Sequence, residues 1–259
     1  MPLTIRPVEA FADNYIWLIN GTGSNKAYVV DPGDAKPVLQ ALSRFGLNLK
    51  AILVTHQHHD HIGGIPDLLK RYPGIPIIGP GDITLVNQPV QEGQTIEIAG
   101  IMFQVIAIPG HTLNHLAFFS ETAGEYPLLF CGDTLFAGGC GRLFEGTPGQ
   151  MLNSLEKLAA LPDNTRIFCA HEYTMNNLAF AASLEPSNAA IQTRLAETRR
   201  LRDRSVPTLP SVMSAEKLTN PFLRATDPLL KESLEKRLER PLESELAVFT
   251  AARQLKDTF

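Results

Sequence analysis

The segment from His56 to His61 constrains this chain more than any other part of its sequence. Four of the seven histidines in the 259 residues lie within it, and it follows closely on the short apolar run 51–54. Such a run is typical of a buried strand. Gly63 and Gly64 come soon afterwards, and glycine allows the backbone to bend tightly. We therefore predict a buried strand that presents a loop of imidazole and carboxylate side chains.

The residue types in this loop favour a metal site. Imidazole nitrogens and carboxylate oxygens bind Zn²⁺, and they also accept iron or manganese. His56 and His58 are two residues apart, so an extended loop directs both toward one ion. Asp60 and His61 are adjacent and would turn toward a second ion nearby. The alternative, a polar loop with incidental histidines, is disfavoured by the density of ligand residues.

One loop cannot complete two metal sites, and three further candidates each follow an apolar run. They are His111 after residues 101–108, Asp133 after residues 128–131, and His171 after residues 167–170. Loops at strand ends are a usual place for functional residues, because the scaffold holds the base of each loop. Each residue taken alone is more typical of a cap or of a polar group satisfied locally. Together with the first loop they predict one constellation.

The candidate ligands divide into two sets that share one carboxylate. We assign His56, His58 and His111 to one ion, Asp60, His61 and His171 to the other, and Asp133 to both. Two ions about 3.5–4 Å apart lower the pKa of a shared water and stabilise a leaving group. A protein nucleophile is then unnecessary. We expect the three cysteines, which lack C-x-x-C spacing, to be apolar core residues: Cys131, Cys140 and Cys169.

Three other polar residues near these motifs receive weaker assignments. In an extended loop His59 would point away from its neighbours, and His115 opens a strand, so we expect both to be supporting or structural residues. Asp31 lies in the turn 31–33. It either orients the ligand loop by accepting a hydrogen bond from it, or it is a plain turn residue.

The coarse pattern divides the chain into two parts. In the first part, short β-rich runs alternate with stretches of helical spacing. We predict strands at 15–19, 27–30, 51–54, 75–78, 95–98, 101–108, 115–120, 128–131 and 167–170. We predict helices at 37–45, 65–71 and 151–161. Later stretches are all helical in spacing: 178–184, 189–204, 228–238 and 242–255. This shift predicts a catalytic domain over residues 1–172 and a helical domain over residues 173–259.

Composition excludes several classes of protein. The net charge of −4 provides no basic excess for nucleic acid, and the arginines of residues 194–204 are interpreted as a solvated helix face. No apolar run approaches the roughly 18 residues of a membrane span. The N-terminal residues lack the pattern of a signal peptide. An odd number of cysteines predicts no disulfide framework, so we expect a reducing, cytoplasmic setting. Separately, we expect the protein to be a monomer.

The motifs resemble a known family. The pattern H-x-H-x-D-H at 56–61 is similar to the signature of the metallo-β-lactamase superfamily, and His111, Asp133 and His171 match its remaining ligands. More narrowly, the chain resembles the glyoxalase II, or hydroxyacylglutathione hydrolase, family over essentially its whole length. Five motifs carry this resemblance: CGDTLF at 131–136, GCGR at 139–142, FEGT at 144–147, HEYT at 171–174 and NPFLR at 220–224.

The resemblance implies an α+β fold, an αββα sandwich of two mixed sheets with a C-terminal α-helical domain that helps to hold glutathione. It implies hydrolysis of S-(2-hydroxyacyl)glutathione, chiefly S-(R)-lactoylglutathione, to glutathione and D-lactate, as in methylglyoxal detoxification. The cofactors would be two divalent ions, zinc in the first place, with iron or manganese as alternatives. A metal-bridging hydroxide would attack, and Asp60 and Asp133 would be the catalytic carboxylates.

The resemblance also implies a set of glutathione contacts. The corresponding positions are Arg142, Tyr173, Arg253 and Lys256. Glutathione carries two carboxylates, which basic side chains bind through charge-assisted hydrogen bonds. Phe144 occupies a place where some relatives have tyrosine, so one hydroxyl contact is missing.

Four other functions compete with thioester hydrolysis. A persulfide dioxygenase would use one iron on the same scaffold, but the long helical tail with Arg253 and Lys256 suits the hydrolase better. A secreted β-lactamase would need a signal peptide, and a lactonase remains a further alternative. A superfamily member that processes nucleic acid is disfavoured by the net charge.

Overall fold

The computed structural model describes residues 3–121 and 124–259, which form two compact units. The first unit takes the described residues of Met1–Ala107, Asn114–Gly132 and Thr165–His171. The second takes Ile108–Leu113, Asp133–Asn164 and Glu172–Phe259. Within the described residues, no helix has both the length and the apolar character that crossing a bilayer requires.

The secondary structure elements are named in chain order. The strands are β1 Leu3–Ala10, β2 Asn14–Gly21, β3 Lys26–Val30, β4 Asn48–Leu53, β5 Ile77–Gly79, β6 Gln88–Pro89, β7 Thr95–Ile98, β8 Ile101–Ala107, β9 Leu116–Ser120, β10 Leu128–Gly132, β11 Leu135–Phe136, β12 Gly139–Cys140, β13 Arg166–Cys169 and β14 Ser211–Val212. The helices are α1 Ala35–Phe45, α2 His59–Ile62, α3 Ile65–Arg71, α4 Pro148–Ala159, α5 Thr174–Leu184, α6 Ala189–Arg202, α7 Met213–Thr219, α8 Pro228–Leu238 and α9 Glu245–Asp257, with a 3₁₀ turn at Pro221–Leu223.

The first unit contains two mixed sheets. One runs in the order β1-β2-β3-β4-β5-β6, antiparallel from β1 to β3 and parallel from β3 to β6. In the other, strands of this unit run in the order β13-β10-β9-β8-β7, and only the β10–β13 pair is parallel. The mixed sheets that the resemblance implies are therefore confirmed.

Strand β2 shows how the first unit is layered. All eight of its residues are buried, and successive side chains of a strand point to opposite faces. Ile16 and Leu18 pack into the core cluster that includes residues of α1 and α3. Trp17 faces the other way, with its ring edge-to-face on Phe168 of β13 at 4.9 Å. Its indole nitrogen donates to the carbonyl of Cys169 at 3.0 Å. The two sheets therefore pack face to face, with helices covering the first.

Strand β1 does not appear among the predicted strands. Its segment, LTIRPVEA, pairs with β2 along its whole length. The pattern of this segment is weak because charged side chains and Pro7 interrupt it. Proline is tolerated on an edge strand, where its missing N–H is not needed for a ladder. Partner pairing, rather than local pattern, makes this segment a strand.

The second unit is mainly helical. Side chains that cap the backbone N–H groups determine where two of its helices begin. The pattern predicts a helix from residue 151, and α4 begins earlier, at Pro148, because Thr147 and Gln150 form a capping box. Likewise α9 begins at Glu245, where Ser244 accepts from the N–H of Ala247. The short strand β14 lies in a region for which the pattern predicts none.

The second unit is also held by a buried polar cluster around Glu216. Its carboxylate is fully buried and accepts from the backbone N–H of Gly138 at 2.7 Å. The side chains of Arg194, Ser211 and Asn220 also donate to it. The interpretation of Arg194 as part of a solvated face is therefore wrong. The periodicity of α6 could not predict this contact, because the partner, Glu216, lies on another helix.

Candidate metal centre

Five of the predicted ligands come together in the first unit. They are His56, His58, Asp60, His61 and His171. The chain bends at Thr55 after β4, and the backbone is extended at His58, whereas α2 makes one helical turn from His59. That turn brings Asp60 and His61 back toward His171, which follows β13. The extended backbone of the prediction is therefore present at His58 but not from His59 onward.

Asp60, His61 and His171 have the spacing of ligands around a single ion. The Oδ2 atom of Asp60 lies 3.5 Å from Nε2 of His61 and 3.4 Å from Nε2 of His171. Ligand bonds of 2.0–2.2 Å at tetrahedral angles place ligand atoms roughly 3.3–3.6 Å apart. Both imidazoles are buried, and the Asp60 side chain is 39% exposed. The donor set therefore fits a divalent cation that solvent can reach from one side.

An acceptor behind His171 selects the tautomer that a metal ligand needs. Nδ1 of His171 lies 2.8 Å from Oδ1 of Asp13. An ionised carboxylate only accepts hydrogen bonds. The His171 ring therefore carries its hydrogen on Nδ1 and presents the lone pair of Nε2 to the cluster. Nδ1 of His61 lies 3.1 Å from Oδ2 of Asp31, so a buried carboxylate also lies beside that ring.

His56 is oriented through Thr55. The hydroxyl of Thr55 donates to Oδ2 of Asp31 at 2.7 Å, and its oxygen lies 3.0 Å from Nδ1 of His56. Because Thr55 has only one hydroxyl hydrogen, Nδ1 of His56 is the donor in that contact. Nε2 of His56 then presents a lone pair, 3.1 Å from Nδ1 of His58. Of the two readings of Asp31, the structure supports the residue that orients the ligand loop.

His59 and His115 have different surroundings. His59 is exposed at the start of α2. His115 is fully buried and stacks on the ring of His56, with centroids 4.6 Å apart and planes 18° apart. Its Nδ1 lies 3.1 Å from the carbonyl of Leu116. His115 therefore supports the face of one candidate ligand.

The second unit contains the other two predicted ligands, both of them buried. Nδ1 of His111 lies 2.7 Å from the carbonyl oxygen of Arg142, which only accepts. His111 therefore presents Nε2, which lies 3.5 Å from Oδ2 of Asp133. A Cβ added to Gly141 would meet the carbonyl oxygen of Asp133 at 1.9 Å, so only glycine fits there. Within this unit the His111–Asp133 pair again has the spacing of neighbouring ligands.

Three predicted glutathione contacts form a basic cluster in the second unit. Asp257 accepts from Nε of Arg142 at 3.3 Å and from Nε of Arg253 at 3.1 Å. Burial, together with the nearby charge of Arg253, lowers the pKa of Lys256 to about 8. Lys256 donates to the side-chain oxygen of Asn176. These side chains provide cationic donors that suit a carboxylate ligand.

Two other residues of the predicted glutathione site are exposed. They are Tyr173, the fourth predicted contact, and Phe144, which stands where some relatives have tyrosine. Tyr173 is 37% exposed, with its ring edge-to-face on Phe136 at 5.2 Å. Phe144 is 63% exposed and packs edge-on against His111 at 5.3 Å. Phe144 therefore presents a ring, without a hydroxyl, beside a candidate ligand.

Sequence reasoning did not identify several residues that contact this site. Asp13, in the turn before β2, and Asn14, the first residue of β2, contact candidate ligands, and Asp257 and Asn176 contact the basic cluster. Asp13-Asn14 is a turn signal between two β-rich segments. No local pattern relates it to a histidine 158 positions away.

The chain is similar to known proteins over its full length. The sequence model of the Metallo-beta-lactamase superfamily matches residues 11–171, and that of the Hydroxyacylglutathione hydrolase C-terminus matches residues 172–259. The hydroxyacylglutathione hydrolase of Photobacterium profundum is 50% identical, with 99% of this chain and 100% of that protein covered. The protein of the same name from Aliivibrio salmonicida is 48% identical at the same coverage.

Solved structures share the fold. The BLEG-1 B3 metallo-β-lactamase has a TM-score of 0.62 at 20% identity, covering 85% of this chain and 99% of that chain. TTHA1623 in a di-iron-bound form has a TM-score of 0.55 at 25% identity, covering 86% and 100% of the two chains. Fold and site together define a protein of the metallo-β-lactamase superfamily.

More narrowly, the chain belongs to the hydroxyacylglutathione hydrolase family, on the match of its C-terminal residues 172–259 and on the identity of its full-length relatives. The resemblance identified from the motifs is thereby confirmed, as is the α+β class with a helical C-terminal region.

Proposed function

We propose that this protein is a hydroxyacylglutathione hydrolase, a thioester hydrolase that cleaves S-(2-hydroxyacyl)glutathione, chiefly S-(R)-lactoylglutathione, to glutathione and D-lactate. The observation that carries the proposal is the 48–50% identity to full-length relatives of that name, which extends through residues 172–259. The helical C-terminal residues 173–259 would form the glutathione-binding domain, and residues 1–172 the catalytic domain. We further propose that the protein acts as a cytoplasmic monomer.

The proposed cofactors are two divalent ions, with zinc preferred over iron or manganese. The ligands would be His56, His58, His111 and Asp133 for one ion, and Asp60, His61, His171 and Asp133 for the other. Nitrogen and oxygen donors of this kind accept all three metals. When bound, such ions supply an activated water and an electrophile for a carbonyl oxygen. The ligand spacing and the oriented imidazoles described above support this assignment.

The chain's own residues would orient ligands and hold the substrate. Asp13 holds His171 in the tautomer that presents Nε2, and Asp31 does the same for His56 through the hydroxyl of Thr55. Asp60 and Asp133 are the carboxylates that we assign to catalysis, and solvent reaches Asp60. Arg142, Arg253 and Lys256, together with Tyr173, would bind glutathione. Binding energy from the carboxylates of glutathione would then place the thioester.

A cysteine nucleophile is disfavoured. Burial raises the pKa of the Cys140 thiol to about 11, although the nearby Arg253 opposes that shift. The thiol therefore stays protonated at neutral pH, and the thiolate is the nucleophilic form. Cys131 and Cys169 are also buried. These observations favour water as the attacking group.

The decisive experiment follows the loss of the thioester absorbance of S-lactoylglutathione while the metal content of the same preparation is determined. We expect hydrolysis that scales with bound metal. Oxygen consumption with glutathione persulfide, in the absence of thioester hydrolysis, would instead support the single-iron dioxygenase.

The Lys256 pKa of about 8 predicts a pH-dependent KM. Below that pH the ammonium is charged and binds a glutathione carboxylate, and above it the charge is lost. A hydrogen bond to a charged group contributes about 1.5–3 kcal/mol, so KM should rise by about tenfold or more as Lys256 deprotonates. Steady-state kinetics across this range measure the effect. In Lys256→Arg the charge persists and the rise should disappear. A flat KM in the unmodified protein would contradict the assignment.

Gly141→Ala tests the backbone beside Asp133 and His111. The new Cβ would meet the Asp133 carbonyl oxygen at 1.9 Å, so both ligand-bearing segments must shift. A displacement of about 1 Å at a reacting centre costs about 10²-fold in rate, and we expect a loss of kcat/KM of that order together with reduced metal content. Gly149→Ala in α4, whose Cβ meets no atom within 4 Å, is the matched control and should leave both quantities unchanged.

A further inference from the structure

The turn between β1 and β2 contacts two candidate ligands of the same ion. The side-chain amide of Asn14 donates to Oδ2 of Asp60 at 3.0 Å. The carboxylate of Asp13 accepts from Nδ1 of His171 at 2.8 Å. The backbone joins the same elements, because Asn14 pairs with His171 in an antiparallel bridge and the N–H of Tyr15 donates to the carbonyl of Ala170 at 2.7 Å.

We propose that Asn14 and Asp13 are positioning residues that set the affinity of one metal site, the one formed by Asp60, His61 and His171. This inference rests on the proposed metal binding and extends it to residues outside the ligand set. Its distinctive consequence is selectivity between the two ions. Loss of these contacts should weaken the binding of one ion and leave the binding of the other unchanged.

The role of Asn14 follows from the oxygen that it contacts. Oδ2 of Asp60 is the atom that lies 3.4–3.5 Å from Nε2 of both His61 and His171. A carboxylate oxygen has more than one lone pair, so it accepts the amide N–H and still has a lone pair for an ion. Asp60 is part-exposed on a helix of four residues, which does little by itself to hold its side chain. The buried amide of Asn14 selects the rotamer that directs Oδ2 at the imidazoles.

Asp13 acts on the opposite side of the same site. By accepting from Nδ1 it holds the His171 ring in place and raises the basicity of Nε2. The turn that carries it has an unusual backbone, because Phe11 adopts a φ of +52°, which L side chains rarely do. Phe11 is itself exposed.

The test compares Asn14→Leu with Asn20→Leu in the full-length protein. Leucine has the same number and branching of side-chain heavy atoms as asparagine but no donor. Asn20 is an equally buried asparagine on the same strand β2, but it is bonded to Arg6 at 2.6 Å and to the carbonyls of Gly21 and Ser24. Zinc content and affinity are measured by titration against a chelator of known affinity, and Co²⁺ absorption reports the ligand geometry. Unfolding of the metal-free proteins measures the purely structural cost.

We expect two zinc ions in the unmodified protein and in Asn20→Leu. In Asn14→Leu one ion should bind as before and the other 10–100-fold more weakly, the usual cost of removing a partner of a metal ligand. Asp13→Ala should act in the same direction. Asp13→Asn should be intermediate, because an amide oxygen still accepts from Nδ1 but carries no charge.

The outcomes separate the two proposals. An unmodified protein that binds no zinc would overturn the metal proposal itself. Two ions of unchanged affinity in Asn14→Leu, or equal weakening in Asn14→Leu and Asn20→Leu, would overturn only the positioning role. Should Asn14→Leu fail to fold, the part-exposed Asp13 side chain still decides the question: Asp13→Ala with two tightly bound ions refutes the role, and selective loss of one ion supports it.

Discussion

Asp133→Asn is expected to lower kcat for S-lactoylglutathione by about 10²–10⁴-fold. Metal-ion catalysis contributes several kcal/mol to the transition state, and each 1.36 kcal/mol corresponds to a factor of ten. Asparagine keeps the shape of the buried side chain but lacks the charge and the second oxygen that two ions would share. The Oδ2 atom lies 3.5 Å from Nε2 of His111, so the loss falls within the ligand cluster. Turnover and bound metal should be measured on the same sample.

The control for this substitution is Asp163→Asn in the same unit. Asp163 is exposed and pairs with Lys217 at 2.6 Å. Its neutralisation also removes one negative charge, so it tests whether net charge alone affects turnover. We expect kcat and metal content in this control to match those of the unmodified protein. Near-normal turnover in Asp133→Asn would refute the two-metal account.

Glu216→Ala is expected to destabilise the protein strongly without touching the candidate metal centre. It removes a fully buried carboxylate. That carboxylate accepts hydrogen bonds from the side chains of Arg194, Ser211 and Asn220 and from the backbone N–H of Gly138. Removing one partner of a buried ion pair costs about 3–5 kcal/mol, because the other charge stays buried without compensation. For a chain of this size that corresponds to a fall in Tm of roughly 6–20 °C. Chemical and thermal denaturation measure the two quantities.

Lys217→Ala on the same helix is the matched control. Lys217 pairs with Asp163 on the surface, and exposed pairs contribute about 0–1 kcal/mol. The double variant Glu216→Leu with Arg194→Met sharpens the test, because it removes both charges. It should recover much of the stability lost in Glu216→Ala. Equal destabilisation by Glu216→Ala and Lys217→Ala would show that the buried charge is not the cause.

Much of the fold and of the site could be predicted because the informative residues are local. The apolar runs that became β4, β10 and β13 are each followed closely by a candidate ligand, so the strand pattern and the ligand chemistry support each other. The boundaries were less accurate where a single side chain decided them. Thr147 caps the N-terminus of α4 and Ser244 caps that of α9, and neither cap is part of the apolar periodicity.

Other features of the site depend on pairs that are distant in sequence. Asn14 meets Asp60 across 46 positions, and Asp13 meets His171 across 158. A single sequence contains no signal for such pairs, because neither partner's local pattern depends on the other. The same is true of Arg194. The sequence of its helix predicts a solvated face, but the guanidinium of Arg194 forms an ion pair with Glu216.

The sequence alone determined the types of candidate ligand, their order along the chain and the family, because these follow from residue identity and short spacings. The tertiary structure decided which nitrogen His171, His111 and His56 present, since Asp13, the carbonyl of Arg142 and the hydroxyl of Thr55 select it. It also decided that Asp31 orients the loop of candidate ligands rather than merely turning the chain. These properties depend on distances of about 3 Å between groups from different elements, which only folding of the chain brings about.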